Sequence, residues 1–243
     1  MRRLLAPVLV LLLAASPGVT EEKRVPPQTQ PSDSGAHHEG HDHDATMTHS
    51  FADVEHWVSV FEDPNRAAWQ KPEAVPGILG LRPGDVVADI GAGTGYFNRY
   101  LARAVGEAGK VYAADVEPTL VEYMKQRAVR EATPQVLAVL AKPDDPLLPA
   151  AGVDVIFICN TWHHIDDRLA YLGRLRHALK PSGRLAIVDF QKRELPVGPP
   201  PEHKLTRDEV VAELAEAGWE LRTESDALPY QYTLIFTPRA APR

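Results

Sequence analysis

The sequence predicts an α/β fold built on a mostly parallel sheet with helices on both faces. Short apolar runs with the length of buried strands alternate along the chain with segments of helical periodicity. One such run, Val86–Ile90, leads directly into a glycine-rich turn and then into an amphipathic helix. The chain ends in two further strand-like runs joined by a short turn, which is typical of a strand pair at one side of such a sheet.

Length and charge narrow the class of protein. A chain of 243 residues with 44% hydrophobic content can bury one sizeable core. The net charge of -7 disfavours nucleic acid or an anionic membrane surface as the main partner, because phosphate binding depends on Lys and Arg. The single cysteine, Cys159, excludes a disulfide scaffold and lies in an apolar run, where we expect it to act as a small buried hydrophobe.

Residues 1–18 have the layout of a secretory signal peptide: two arginines, an apolar run over 4–15, then small and turn-forming residues. This pattern predicts an exported protein, periplasmic or secreted. The apolar run is too short for a comfortable transmembrane helix, so we expect no stable membrane span after cleavage. The alternative is an uncleaved N-terminal segment that holds the chain at the membrane.

Residues 19–50 contain almost no large apolar side chain and are predicted to form a disordered linker. Histidines and acidic residues are interleaved in this segment, at a density that can bind zinc, copper or nickel. The histidines are His37, His38, His41, His43 and His49. A solvated spacer is the alternative, and we assign no metal ligand.

A helical extension is predicted over residues 51–71, ahead of a domain over 72–243. Apolar residues at positions i, i+3, i+4 and i+7 mark its first helix, namely Val54, Trp57, Val58 and Phe61. A second short helix follows Asp63 and Pro64 and runs to Trp69. A third is predicted over residues 72–79, and a turn over 82–85 then leads into the central strand.

The glycine-rich turn distinguishes between nucleoside cofactors. Gly91, Gly93 and Gly95 stand at its first, third and fifth positions, whereas the dinucleotide fingerprint needs a glycine at the sixth, where this chain has Tyr96. Asp89 stands at the carboxyl edge of the strand, where it would repel a pyrophosphate and attract a cationic ligand such as a sulfonium with an ammonium group. A nicotinamide dehydrogenase is therefore disfavoured.

This Asp-x-Gly-x-Gly-x-Gly segment resembles the first motif of the class I S-adenosylmethionine (SAM) methyltransferases. The resemblance covers about residues 72–238. It implies a Rossmann-like, seven-stranded, mostly parallel sheet with SAM as cofactor, and N-terminal helices that lie over the cofactor as a lid. The lid residues it implies are Asp63, Arg66, Trp69, Gln70 and Lys71. The alternative is that the four polar residues only lie on the solvent-exposed side of the helices, with Trp69 in the core. The cofactor-binding residues it implies in the first motif are Asp89, Gly91, Gly93, Gly95 and Tyr96.

The second and third strands carry further cofactor candidates. Lys110–Asp115 ends in an acidic residue whose geometry suits a carboxylate that accepts both ribose hydroxyls, the alternative being a helix cap. Val116, the next residue, is assigned to the same site. After a helix over 118–131 and a strand over 135–140, the resemblance selects Asp144 for the adenine amino group. Asp145 and a plain turn-forming role remain alternatives.

A fourth strand, Val153–Cys159, runs into a polar segment that resembles the fourth motif of small-molecule methyltransferases. Open α/β sheets keep their chemistry at this edge. We assign Asn160 to the cofactor site and His163 and His164 to catalysis, with His203 as a third candidate base. Adjacent side chains point apart, so only one of the two adjacent histidines is expected to face the pocket, and packing or capping is the alternative for both.

The remaining segments complete the alternation of strands and helices. They are a helix after Asp166 or Asp167, a turn over 180–183, a strand over 184–189, a Pro-rich loop over 194–203, a helix over 206–217 with a Thr206–Glu209 capping box, and strands over 219–226 and 230–237.

Two functions fit these patterns. The first is a SAM-dependent methyltransferase that acts on a small or lipid-like acceptor. The second is an exported, non-catalytic binding module that keeps the fold and uses the His-rich segment to bind metal. The methyl acceptor and the oligomeric state stay open.

Overall fold

The computed structural model describes residues 53–239. The predicted signal peptide (1–18) and the predicted His-rich linker (19–50) lie outside the described residues. Residues 53–239 include no helix that is both long and apolar enough to cross a bilayer.

Between residues 53 and 239, seven strands and seven α-helices follow one another in the predicted order. The strands are β1 Val86–Ile90, β2 Lys110–Asp115, β3 Val136–Leu140, β4 Val153–Cys159, β5 Leu179–Phe190, β6 Trp219–Ser225 and β7 Gln231–Pro238. The α-helices are α1 Val54–Phe61, α2 Arg66–Gln70, α3 Val75–Ile78, α4 Asn98–Val105, α5 Pro118–Arg130, α6 Arg168–Ala178 and α7 Arg207–Glu216. Two short 3₁₀ turns lie at Trp162–His164 and Pro201–His203.

The strands form one sheet in the order β3-β2-β1-β4-β5-β7-β6. The pairs among the first five strands in this order are parallel, while β7 is antiparallel to both β5 and β6. The predicted α/β class with a mostly parallel, seven-stranded sheet is therefore confirmed. The chain reverses its direction across the sheet between β1 and β4, and ligands of open α/β sheets bind at such a point, beyond the carboxyl ends of the strands.

The core is divided between the two faces of the sheet. One face packs α4 and α5 with Val87, Val111 and Phe157, and the other packs α6 and α7 with Ile156 and Trp162. The β1 and β4 runs are apolar without alternation because both faces of the sheet are covered. Capping fixes the helix starts: Asp167 caps α6, and the predicted Thr206–Glu209 capping box is present at α7.

One boundary differs from the sequence prediction. Strand β5 begins at Leu179 rather than at Arg184, because Leu179 already pairs with Val153. The register then jumps to Val155 opposite Arg184, so the predicted turn at 180–183 bulges out of the strand instead of preceding it. Lys180 anchors the bulge with a 2.6 Å bond from its Nζ to Oδ2 of Asp154.

Candidate functional site

The glycine turn lies at the centre of the carboxyl edge of the sheet and needs its glycines. Gly91, Gly93 and Gly95 have φ values of +69°, +57° and +77°, in the left-handed region that side chains rarely adopt. At Gly91 a Cβ atom would also overlap the side chain of Thr161, which follows β4. The backbone of the turn is therefore held against the end of β4.

Asp89 occupies the end of β1 directly below this turn. Its side chain is enclosed, with the residue 2% exposed, and its Oδ2 atom has no hydrogen-bond partner among residues 53–239. Burial, followed by the negative charge of Asp115, raises the pKa of Asp89 to about 7, while the nearby Arg66 acts in the opposite direction. A buried carboxylate without a donor costs free energy, so the site favours a cation at this oxygen.

Asp115 ends β2 on one side of the turn. Its Oδ2 accepts the Gly93 N–H at 2.8 Å, and its Oδ1 accepts the Glu117 N–H at 3.0 Å. Burial raises the pKa of Asp115, against the effect of these hydrogen bonds. Its neighbour Val116 is 52% exposed, an apolar surface at the edge where the sequence places the nucleoside.

The segment after β3 follows the same edge, since the Ala141 N–H donates to the carbonyl oxygen of Asp115 at 2.9 Å. Asp144 lies at the exposed tip of a turn closed by Lys142 and Asp145. The carboxylate of Asp145 instead accepts the Leu147 N–H at 2.9 Å. Asp144 thus has the freer carboxylate of the two, and its role in adenine binding stays a prediction.

Asn160 follows β4 with a φ of +55°, which is uncommon for a residue other than glycine and is tolerated best by Asn and Asp. Its Oδ1 accepts the Nε2–H of Gln231 at 2.6 Å. Gln70 of the lid donates in turn to Oε1 of Gln231 at 3.2 Å and to Sγ of Cys159 at 3.1 Å. This buried chain of side chains connects α2 to the ends of β4 and β7.

The two histidines lie in the 3₁₀ turn that follows. Nδ1 of His163 is 2.8 Å from Oδ2 and 3.0 Å from Oδ1 of Asp189, near the end of β5. The side chains of His163 and Asp189 are enclosed, at 6% and 1% exposure. The rings of His163 and His164 have centroids 4.1 Å apart. The expectation that they point apart was wrong, because it assumed extended backbone where the chain forms a tight turn.

Sequence reasoning did not assign Asp189 to the site. The available signal was its position as an acidic residue near the end of an apolar strand, the same signal that selected Asp89 and Asp115. What the sequence did not supply was the pairing of β5 beside β4, which brings Asp189 to His163 across 26 residues.

The N-terminal helices lie over the glycine turn. A Cβ atom at Gly93 would be 3.3 Å from the ring of Phe61, the last residue of α1. Glu62, which follows it, accepts the Thr94 hydroxyl at 2.6 Å and pairs with Arg127 of α5. Arg127 also donates to the Thr94 carbonyl at 3.1 Å. The lid is therefore fastened to the glycine turn itself.

Helix α2 continues the lid toward β5 and β7. The Trp69 ring packs against Phe190 and Tyr230, with centroids 5.7 Å and 5.9 Å away. The guanidinium carbon of Arg66 lies 3.9 Å from the centroid of the Tyr96 ring, and that ring is itself buried. Tyr96 therefore contacts the lid, while its assignment to the cofactor site stays a prediction.

Proteins of similar sequence and structure identify the family to which this site belongs. A family model described as a methyltransferase domain matches residues 87–183. The crystal structure of a SAM-dependent methyltransferase from Aquifex aeolicus is 33% identical with a TM-score of 0.72, covering 76% of this chain and 97% of that one.

The chain belongs to the class I SAM-dependent methyltransferases.

Two curated proteins that are similar in sequence to this chain are also named as methyltransferases. A ubiquinone/menaquinone biosynthesis C-methyltransferase of Teredinibacter turnerae is 32% identical over 117 residues, 47% of each chain. A 27-O-demethylrifamycin SV methyltransferase of Amycolatopsis mediterranei is 27% identical over 201 residues, 77% of this chain and 72% of its own. The chain spans about half the length of the first curated relatives it matches.

SAM is the cofactor of this family, and the methyltransferase site fits it. The unpartnered Asp89 oxygen offers a place for a cation. The glycines let the turn lie close to Thr161 and to the Phe61 ring of the lid, and Asp115 lies beside the turn, where its carboxylate could accept ribose hydroxyls. The structure brings these residues together with Asn160 and His163 at the carboxyl edge of the sheet. Asp144 instead lies at the exposed tip of the turn that follows β3.

Proposed function

We propose that this chain transfers a methyl group from SAM to a hydroxyl or amine of a small or lipid-like acceptor, with His163 as the general base. The observation that carries the proposal is the enclosed pair of His163 and Asp189 beside the cofactor edge. Bound SAM supplies the electrophilic methyl group. Because the attacking atom must lose its proton as it is methylated, a positioned base near the methionine end of the cofactor assists the reaction.

Asp189 is a positioning residue in this proposal. Its carboxylate also accepts the Phe190 N–H at 2.8 Å, so it is fixed from its own strand. When Asp189 is ionised, Nδ1 of His163 carries the ring proton and Nε2 is left as the acceptor. His163 can then take the acceptor's proton at Nε2, and the imidazolium that forms is stabilised by the buried carboxylate.

The lid supplies the second requirement, which is exclusion of water during an in-line displacement. Trp69, Phe190 and Tyr230 form an aromatic wall between α2 and the ends of β5 and β7. An apolar wall at the end of β5, the strand that carries Asp189, favours an organic acceptor with apolar or aromatic parts. The names of the relatives, a ubiquinone/menaquinone biosynthesis C-methyltransferase and a 27-O-demethylrifamycin SV methyltransferase, are in keeping with an organic acceptor of this class. Of the two names, only the second refers to an oxygen, the kind of acceptor atom proposed here.

The test uses the purified full chain with SAM that is radiolabelled in its methyl group. The acceptors are a hydroquinone, a simple phenol, a long-chain alcohol and a primary amine. We expect label to enter at least one acceptor class, and His163→Gln to lower kcat by roughly 10²- to 10⁴-fold while SAM affinity stays unchanged. Asp189→Asn should lower kcat and also alter the pH profile, which a merely structural residue would not do.

Two results would contradict the proposal. Full activity in His163→Gln would remove the general base from the mechanism. Binding of SAM without transfer to any acceptor class would favour the non-catalytic binding module instead.

We also propose, from the pattern of residues 1–18, that the methyltransferase is exported to the periplasm or secreted. Fractionation of cells that express the full chain, with sequencing of the mature N-terminus, tests this. A cytosolic chain with its first 18 residues intact would refute export, and an intact chain in the membrane fraction would indicate the uncleaved anchor.

A further inference from the structure

Two opposite charges, Asp89 of β1 and Arg66 of the lid, lie near each other at the glycine turn without pairing. The Oδ2 atom of Asp89 has no hydrogen-bond partner, and no salt bridge joins Asp89 to Arg66 within residues 53–239. They are nevertheless close enough for the Arg66 charge to act on the pKa of Asp89, against the larger effect of burial. A gap of this kind between buried opposite charges suits a ligand that carries both charges itself.

The guanidinium of Arg66 is held in a fixed position by the lid. Its Nη1 donates to the carbonyl oxygen of Phe61 at 2.6 Å, and its Nε donates to the side-chain carbonyl of Gln70. Its flat face lies on the Tyr96 ring. Stacking and these two bonds orient the group over the residue that directly follows the glycine turn.

Part of the hydrogen-bonding capacity of Arg66 is unused. A guanidinium has five N–H donors, and Nη2 of Arg66 has no acceptor among residues 53–239. The side chain is half-buried, and Nη2 is not among the enclosed polar atoms without a partner in the described residues, so this donor is open to a bound ligand. Arginine presents its donors as a planar fork that matches a carboxylate.

We infer that Arg66 binds the α-carboxylate of the methionine end of SAM while Asp89 binds its ammonium group. The inference rests on the proposed function and names a contact of that same site. A zwitterionic amino-acid group between the two side chains would satisfy the free Oδ2 and the free Nη2 together. The lid helix α2 would then carry a residue that binds the cofactor.

An alternative role for Arg66, in which it does not bind the cofactor, predicts a different change in SAM affinity when Arg66 is replaced. If the guanidinium only stands in for the positive charge of the cofactor, it must leave when SAM binds, and its removal should then tighten binding. A cofactor analogue without the carboxylate separates the two roles, because it keeps the ammonium group and the sulfonium.

The experiment is a calorimetric titration of the full chain with SAM, decarboxylated SAM and 5′-methylthioadenosine. We expect Arg66→Met to weaken SAM roughly 10- to 100-fold, as for the loss of a charged hydrogen-bonded pair, and to leave decarboxylated SAM within about twofold of wild type. Asp89→Asn should weaken both amine-containing ligands. Neither variant should change 5′-methylthioadenosine, which lacks both charged groups.

Controls separate binding from folding. Arg103→Met removes an exposed arginine that lies 3.7 Å from Glu73, and it should bind all three ligands as the wild type does. Arg66→Gln repeats the test with a polar side chain in case the methionine variant does not fold. Arg66→Lys keeps the charge without the fork and should lose less SAM affinity than Arg66→Met.

The outcomes are distinct. Equal weakening of SAM and decarboxylated SAM by the Arg66 variants, or tighter binding of both, would overturn the inference while SAM binding by the wild type still supports the proposed function. A wild-type chain that binds none of the three ligands would overturn both.

Discussion

Replacing Asp89 with Asn should stabilise the ligand-free chain at alkaline pH, although it removes a cofactor contact. The carboxylate is buried without a donor on Oδ2 and lies near Asp115. Both effects disfavour the charged form, and together they raise the pKa of Asp89 to about 7 in the folded chain. Ionisation of Asp89 at high pH therefore works against folding, and an Asn at this position does not ionise.

The size of the effect follows from the difference between the folded and unfolded pKa values. With an unfolded value of about 3.9, the folded chain binds more protons than the unfolded chain between about pH 4 and pH 7. The free energy of unfolding must then fall as pH rises through this window. The penalty grows from about 1–2 kcal/mol at pH 5 to about 4 kcal/mol above pH 7, since each unit of pKa difference corresponds to about 1.4 kcal/mol.

Urea denaturation of wild type and Asp89→Asn at pH 4, 5, 6 and 8 measures how the free energy of unfolding depends on pH in each protein. The gap between the two free energies of unfolding should be small at pH 4 and should widen by about 2–3 kcal/mol between pH 5 and pH 8. The same variant should bind SAM more weakly at pH 8. A gap that stays constant with pH, or a variant less stable than wild type at pH 8, would refute the reasoning.

Two further predictions concern the glycine turn and the lid. Gly91→Ala should cost about 2–5 kcal/mol of folding stability, because it adds overlap with Thr161 to an unfavourable φ. Gly106→Ala, with a φ of +66°, a ψ of −171° and open space around it, should cost only the backbone strain of about 1–3 kcal/mol; equal losses in thermal melts would contradict the close approach. Glu62→Gln should speed amide exchange in α1 by weakening the bonds of Glu62 to Arg127 and Thr94, since hydrogen bonds to a charged group are worth about 1.5–3 kcal/mol. Glu122→Gln, at an exposed pair, should not; similar exchange in both variants would show that the contacts of Glu62 do not hold the lid.

The parts of the fold with local signals could be predicted from sequence. Strands β1, β2 and β4 were placed at their observed bounds because each is a continuous or nearly continuous apolar run that ends in a polar residue or a turn. The start of β5 could not be predicted from the residues alone. Lys180 to Gly183 look like a turn, and only pairing with β4 makes the residues before them part of a strand.

The candidate site also has parts with a local sequence signal and parts without one. Asp89, Asp115 and the glycines share a short stretch whose spacing has a meaning of its own. The contacts of the lid have no such signal, since Gln70 and Gln231 are 161 residues apart and neither belongs to a recognisable pattern. Their meeting depends on the docking of α2 over the sheet, which no periodicity within α2 specifies.

The shortness of the first three helices has a consequence for how the protein could be redesigned. Helix α1 has eight residues and none of them is buried, and α2 and α3 have five and four residues. Helices this short do not persist by themselves, so they owe their order to a few anchoring side chains. Grafting a different segment over 53–71, with Glu62, Arg66 and Trp69 kept, should therefore change the residues that face the acceptor while the sheet and the glycine turn beneath stay intact.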